Sequence, residues 1–209
     1  MKNIVVAGIG TGIGKTFIAA ILTEALEADY WKPVQAGSLD FTDTDVVRQY
    51  ITNQKSFLHP EAYRLSAPMS PHAAAEIDGV EIDLHKLSLP SASNILVIEP
   101  AGGLMVPLNS RELNINLIKQ WNVPVILVSQ NYLGSINHTL LSVEVLKQHG
   151  IELAGIIFNG ERKPSTEDFI LQYTRTDCIA KINLEKEITK AIVKQYADEL
   201  KEKLNYFLK

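Results

Sequence analysis

Strand-like and helix-like segments alternate along this chain of 209 residues, which predicts an α/β fold with a mostly parallel sheet and crossover helices on both faces. Two observations carry that prediction. Apolar runs rich in β-branched residues occupy 4–7, 95–98, 123–128 and 153–158, each bounded by Gly, Pro, Asn or a charge, the pattern of strands buried on both faces. Helix-period segments fill the intervals at 15–27, 45–52, 113–121, 136–149, 166–173 and 185–204. In chain order, the first strand meets a glycine-rich turn that opens the first helix, and residues 30–34 read as a further strand. The stretch 66–90, rich in Pro, Ser and Ala, reads as a helix-and-loop excursion beside the site, and 178–182 as a short last strand. No internal repeat, low-complexity tract or long linker interrupts the pattern, so a single domain over residues 1–209 is expected.

Composition narrows the function classes. A net charge of −4 leaves no electrostatic footprint for nucleic acid or an anionic membrane surface. The single cysteine, Cys178, makes neither an internal disulfide nor a cysteine metal cluster, and reads as a small apolar residue. The first residues run straight into a strand, and no stretch approaches the roughly 18 apolar residues of a membrane span. A cytoplasmic protein, neither exported nor membrane-bound, is the expectation.

The glycine-rich turn carries the first chemistry. Gly8-Ile9-Gly10-Thr11-Gly12-Ile13-Gly14-Lys15-Thr16 follows a strand and opens a helix, where backbone N–H groups and the helix dipole favour phosphate. Glycines permit the positive φ angles and close backbone approach that such a cradle needs. Lys15 is then placed to bridge the β- and γ-phosphates of a nucleoside triphosphate, and the Thr16 hydroxyl to ligate Mg²⁺. This is the signature of a P-loop NTPase fold, with a loop one residue longer than the common spacing. A dinucleotide-binding reading of the same glycines fails, because Ile13 stands where its third glycine belongs and Lys15 has no role in it.

In parallel α/β sheets the ligand crevice lies at the carboxyl ends of the strands, and four further places there carry chemistry. Lys32, embedded in the apolar run before Pro33-Val34-Gln35-Ala36, is costly to bury unless an anion faces it, although an edge strand would expose it harmlessly. In Thr42-Asp43-Thr44-Asp45, Asp45 suits Mg²⁺, while the same residues also suit a helix cap. Glu99 ends the run 95–98 with a carboxylate, as phosphate-loop proteins do to hold or orient Mg²⁺. Asn159 follows the run 153–158, and its amide offers both a donor and an acceptor to an adenine edge, unless it only makes an Asn-Gly turn with Gly160. A helix start at Gly134-Ser135-Ile136-Asn137 offers free N–H groups to a carboxylate, with capping by Ser135 as the alternative.

Together these stretches resemble the dethiobiotin synthetases, over nearly the whole chain. The resemblance rests on the long phosphate loop, Lys32-Pro33-Val34, Ser70-Pro71-His72, Glu99-Pro100-Ala101-Gly102-Gly103, Leu133-Gly134-Ser135-Ile136-Asn137-His138 and Asn159. It implies a cytoplasmic homodimer that joins 7,8-diaminononanoate to CO₂ with ATP and Mg²⁺ and closes a cyclic urea. In that chemistry a carbamate forms on one amine, the γ-phosphoryl group converts it to a carbamic-phosphoric anhydride, and the second amine displaces phosphate. By matching motif, Lys15 and Lys32 would stabilise the carbamate and the transferring phosphoryl group, with Thr11 beside them. Thr16, Asp45 and Glu99 would hold Mg²⁺. The nucleotide would lie along Gly12, Ile13, Gly14, Lys15, Thr16 and Phe17, against Asp45, Glu99, Pro100, Ala101 and Gly102, with its adenine at Asn159, Gly160, Ile182, Asn183 and Leu184. The substrate would meet Thr11, Lys32 and Ala36, and its tail Gly134, Ser135 and Asn137, shared across a two-fold interface. Gly10, Ala36 and Pro100 depart from the family pattern, each removing a side chain or an N–H expected near the ligands.

Three rivals are weaker. A partition- or metallochaperone-type ATPase acting as a nucleotide-dependent interaction switch commonly carries a second lysine early in the loop, and none lies between Gly8 and Gly14. A GTPase needs Asn-Lys-x-Asp, whereas Asn159 is followed by Gly160-Glu161-Arg162. A glutamine-dependent amidotransferase needs an appended glutaminase domain with its own cysteine nucleophile.

Overall fold

The computed structural model describes residues 3–207. Its strands are β1 (Ile4–Gly8), β2 (Asp29–Trp31), β3 (Val34–Ala36), β4 (Leu58–His59), β5 (Tyr63–Leu65), β6 (Leu96–Ile98), β7 (Val125–Ser129), β8 (Leu153–Asn159) and β9 (Cys178–Ile182). Its α-helices are α1 (Lys15–Leu26), α2 (Asp43–Tyr50), α3 (Pro71–Ile77), α4 (Asn114–Trp121), α5 (Ser135–Gln148), α6 (Pro164–Thr174) and α7 (Lys190–Phe207). Seven strands pair in the order β4-β2-β6-β1-β7-β8-β9, every pair parallel, and β3 with β5 makes a second small parallel sheet.

Alternate residues of each central strand feed two separate cores, as the period of two along a strand requires. Ile4 and Val6 of β1, with Ile126 and Val128 of β7, pack under α1, α2 and α7. Val5, Ala7, Val125 and Leu127 point to the opposite face, beneath α3, α4, α5 and α6. Helices therefore cover both faces of a parallel sheet, as the alternation of elements predicts. The chain runs from β1 out to β2 on one side and later returns to β7 on the other, so the order reverses at β1, where such sheets open a ligand crevice.

Three local expectations are corrected. Residues 30–34 are not one strand: β2 ends at Trp31, Lys32 and Pro33 form the crossing, and β3 joins the small sheet. Proline has no N–H for a ladder, so a break at that point follows from its chemistry. Strands β4 and β5, lying between helices, are too short to leave a periodic signal. The last helix starts at Lys190 rather than near residue 185, because Thr189 caps it and Glu185 instead accepts a 2.5 Å hydrogen bond from the Tyr196 hydroxyl. The excursion at 66–90 resolves into α3 and a short 3₁₀ turn at Leu84–Leu87.

Candidate active site

The loop between β1 and α1 is shaped by two left-handed glycines, Gly12 at φ 74° and Gly14 at φ 85°. At Gly14 a β-carbon would stand 2.2 Å from Asn159 Nδ2, so only glycine lets that amide donate its 2.8 Å bond to the Ile13 carbonyl. Ile13 and Phe17 point into the core, Phe17 edge-on to Tyr196, so these two residues offer a nucleotide their backbone and not their side chains. Lys15 folds back over the loop and donates a 2.9 Å bond to the Gly10 carbonyl. Burial, aided by nearby Lys32 and opposed by Glu99 and Asp43, lowers its pKa to about 8.

Beside the loop lies a cavity of about 660 Å³, within the usual range for small-molecule sites. Thr11, Gly12, Gly14, Lys15 and Thr16 line one wall; Lys32, Gln35, Ala36 and Asp43 another; and Glu99, Ala101 and Gly102 a third. Lys32, 4 % exposed, is no edge-strand lysine. Its ammonium lies 2.6 Å from Asp43 Oδ2 and 3.2 Å from Glu99 Oε1. Burial alone would lower its pKa, but the two carboxylates outweigh that and hold it above the ordinary lysine value. Glu99 Oε1 also accepts from the Thr16 hydroxyl at 2.9 Å, and Oε2 accepts from the Tyr30 hydroxyl at 2.9 Å. The Tyr30 phenol is held well above its ordinary pKa, first by burial and then by the Glu99 charge, so it is a donor.

Asp45 is not brought to this cavity. Thr42 is the N-cap of α2 and Asp45 its third residue, so the two form a reciprocal capping box, and Asp45 pairs outward with Arg48. The carboxylate that reaches Lys32 is Asp43, whose backbone N–H is held by Gln35 Oε1 at 3.3 Å. The signal was present: Thr-x-x-Asp ahead of a helix commits the fourth residue to the cap and frees the second. Gln35 and Asp43 line the cavity and Tyr30 stands against Glu99, and motif reading singled out none of the three.

Other expected residues gather elsewhere. Pro100 is buried behind the cavity wall formed by Ala101 and Gly102. Asn159 touches the phosphate loop, and the Gly160 N–H donates 2.9 Å to the Ile182 carbonyl, which joins the ends of β8 and β9. Ile182 is buried, while Asn183 and Leu184 are exposed. Gly134, in left-handed conformation, is the N-cap of α5, so Ser135 is its first helical residue and does not cap it. Ser135 is buried and Asn137 exposed. The Thr16 hydroxyl, Glu99 and Asp43 line this cavity and are oxygen donors that suit Mg²⁺, a hard cation that takes few protein oxygens and keeps water and phosphate ligands.

Comparison with known proteins agrees with this geometry. Residues 2–191 match the AAA domain family. The chain is 47 % identical over 203 residues to the ATP-dependent dethiobiotin synthetase BioD of Christiangramia forsetii, covering 97 % of this chain and 98 % of that one. It is 48 % identical over 201 residues to the same enzyme of Cytophaga hutchinsonii, covering 96 % and 97 %. Among solved structures, the cell division ATPase MinD of Pyrococcus furiosus superposes with a TM-score of 0.60 at 16 % identity, over 99 % of both chains. A plasmid partition protein of Borrelia burgdorferi bound to AMPPNP does so at 0.59 and 13 %, covering 99 % of this chain and 98 % of that one. At that identity the two structures share the fold alone.

Proposed function

The chain belongs to the ATP-dependent dethiobiotin synthetase family, an ATP-dependent ligase of biotin synthesis, and on that premise we propose how its residues divide the reaction. The single observation that carries the assignment is the convergence of two lysines, Lys15 and Lys32, with Glu99 and Asp43 on one cavity beside the phosphate loop. Diaminononanoate and CO₂ meet there as a carbamate, close to Thr11, Lys32 and Ala36. The carbamate oxygen takes the γ-phosphoryl group of ATP with release of ADP, and the second amine then attacks the carbamoyl carbon, closes the ring and releases phosphate. Lys15 leaves the Gly10 carbonyl for the phosphates, and Lys32 neutralises charge between carbamate and phosphoryl group. No enzyme nucleophile takes part, so positioning and charge neutralisation supply the rate.

Thr16, Glu99 and Asp43 hold Mg²⁺, with Asp43 taking the place the sequence assigned to Asp45. The ion, when bound, neutralises phosphate charge and orients the transferring group. Asn159, Gly160 and residues 182–184 receive the adenine. The Gly134-Ser135-Ile136-Asn137 turn seats the substrate carboxylate, with a second copy of the chain completing the tail site, as closed two-fold symmetry allows. The whole chain acts as one domain, in the cytoplasm. Among the described residues no helix is long and apolar enough to cross a membrane.

The test is direct. Purified protein with ATP, Mg²⁺ and bicarbonate should release phosphate in step with a cyclic-urea product, identified by mass, only when diaminononanoate is added. Phosphate release without that dependence would favour a nucleotide switch instead. A fully active monomer by light scattering would remove the shared tail site.

A further inference from the structure

We propose that Tyr30 is a positioning residue that limits Glu99 to one inward-facing oxygen and thereby sets the enzyme's preference for Mg²⁺ over larger divalent cations. The inference rests on the reading of Glu99 as a metal-holding residue.

Tyr30 lies on β2 opposite Val97 of β6, and Glu99 follows two residues later, so Tyr30 and Glu99 project to the same face of the sheet. The tyrosine ring is fully buried under α1, and its hydroxyl ends at Glu99 Oε2, 2.9 Å away. The other oxygen, Oε1, takes both site contacts, from Thr16 at 2.9 Å and Lys32 at 3.2 Å. The carboxylate is thus anchored by one oxygen from the core and presented by the other to the cavity. A carboxylate held in this way offers a single ligand atom. Mg²⁺ demands small, near-octahedral coordination from single oxygens, whereas Ca²⁺ accepts two oxygens of one carboxylate at longer range. Removing the phenolic hydroxyl frees Oε2 and lets the carboxylate turn to present both atoms. A tyrosine hydroxyl seeking any buried partner would also settle on Glu99, and the two accounts differ in what the metal does.

The test compares Tyr30→Phe, which keeps the ring volume, with Glu99→Gln and the native chain. ATP binding is followed by calorimetry without metal and across titrations of Mg²⁺ and Ca²⁺, with melting temperatures recorded alongside. The hydroxyl makes a hydrogen bond to a charged group, so Tyr30→Phe should raise the Mg²⁺ needed for half-maximal tightening of ATP by about tenfold. Metal-free affinity should stay within about twofold, and the ratio of Ca²⁺ to Mg²⁺ requirement should fall by about tenfold. If Glu99→Gln alters the Mg²⁺ titration while Tyr30→Phe leaves both titrations at native values, Tyr30 is only a core residue and the proposal fails. If Glu99→Gln leaves the titration unchanged, the assignment of Glu99 fails first and the proposal with it. A lower melting temperature in Tyr30→Phe with native metal dependence counts against the proposal as well.

Discussion

The two halves of the sheet solve the same problem differently. Around β1, β2 and β6, one cluster of buried charge faces a cavity: Lys15, Lys32 and Glu99 are each at most 7 % exposed, and all three line it. Beyond β7, buried charge faces only protein. Glu167, fully buried, accepts from Arg162, Lys163 N–H and Asn131 and pairs with Lys181. Burial alone would raise its pKa, but these donors outweigh that and bring it down to about 2. An ionised side chain taken out of water must be paired in either place. In the first half the paired groups border the cavity; in the second they fasten turns together. A buried charge is therefore a functional signal only when its partners border open space.

The contrast is open to attack, beginning with its largest expected effect. Lys32→Ala should lower turnover by about 100-fold or more, as loss of a preorganised charge donor does, measured on protein shown to be folded by circular dichroism. Near-native turnover would make the Lys32 cluster architectural, like that of Glu167. In the other half, Asn137→Asp adds a negative charge at an exposed first-turn position that the helix dipole tolerates. If the α5 turn seats the substrate carboxylate, KM for diaminononanoate should rise by roughly tenfold with ATP affinity unchanged; an unmoved KM would leave that half without a substrate role.

Asp43 and Asp45 sharpen the comparison at the scale of one helix turn. Asp43→Asn should raise the Mg²⁺ requirement several-fold, while Asp45→Asn should leave it unaltered and cost roughly 1 kcal/mol or less in a denaturant titration through the weakened cap. The opposite pattern would restore the motif reading. The smallest effect is a pH dependence. Lys15 carries a lowered pKa of about 8 in the ligand-free protein, and bound phosphate favours its charged form. ATP binding should then take up a proton in alkaline solution, and affinity should fall about fourfold between about pH 7 and about pH 8.5, checked by calorimetry in buffers of different ionisation enthalpy. For folding the sign reverses. The unfolded chain holds this proton up to about 10.5, so the group by itself makes stability rise with pH across that window.

Much of this was readable from residue order. Repeated apolar runs predict the parallel sheet because a strand buried on both faces has no polar side to show. The phosphate loop is legible because glycines, a lysine and a threonine at fixed spacing have no other common cause. Lys32 and Glu99 were legible as charges stranded in apolar runs. The misses have two physical origins. Asp43 faces the cavity because Thr42 and Gln35 set the start of α2, with Gln35 only 8 residues away in the chain, whereas Tyr30 meets Glu99 across 69 residues, which no local window contains. The break at Pro33 is the intermediate case, visible in the residue type but overridden by the apolar pattern around it.

The Glu167 cluster has a consequence for how this enzyme tolerates exchange of parts. Asn131 belongs to the turn after β7, Arg162 and Lys163 to the turn after β8, and Lys181 to β9, yet all meet one carboxylate on α6. A chimera that imports one of these turns from a relative replaces a donor without replacing its acceptor, leaving buried hydrogen-bonding capacity unmet. The three segments and α6 behave as a single inheritable cassette: transplanted as a set they carry their own fastening, and transplanted singly they arrive without it.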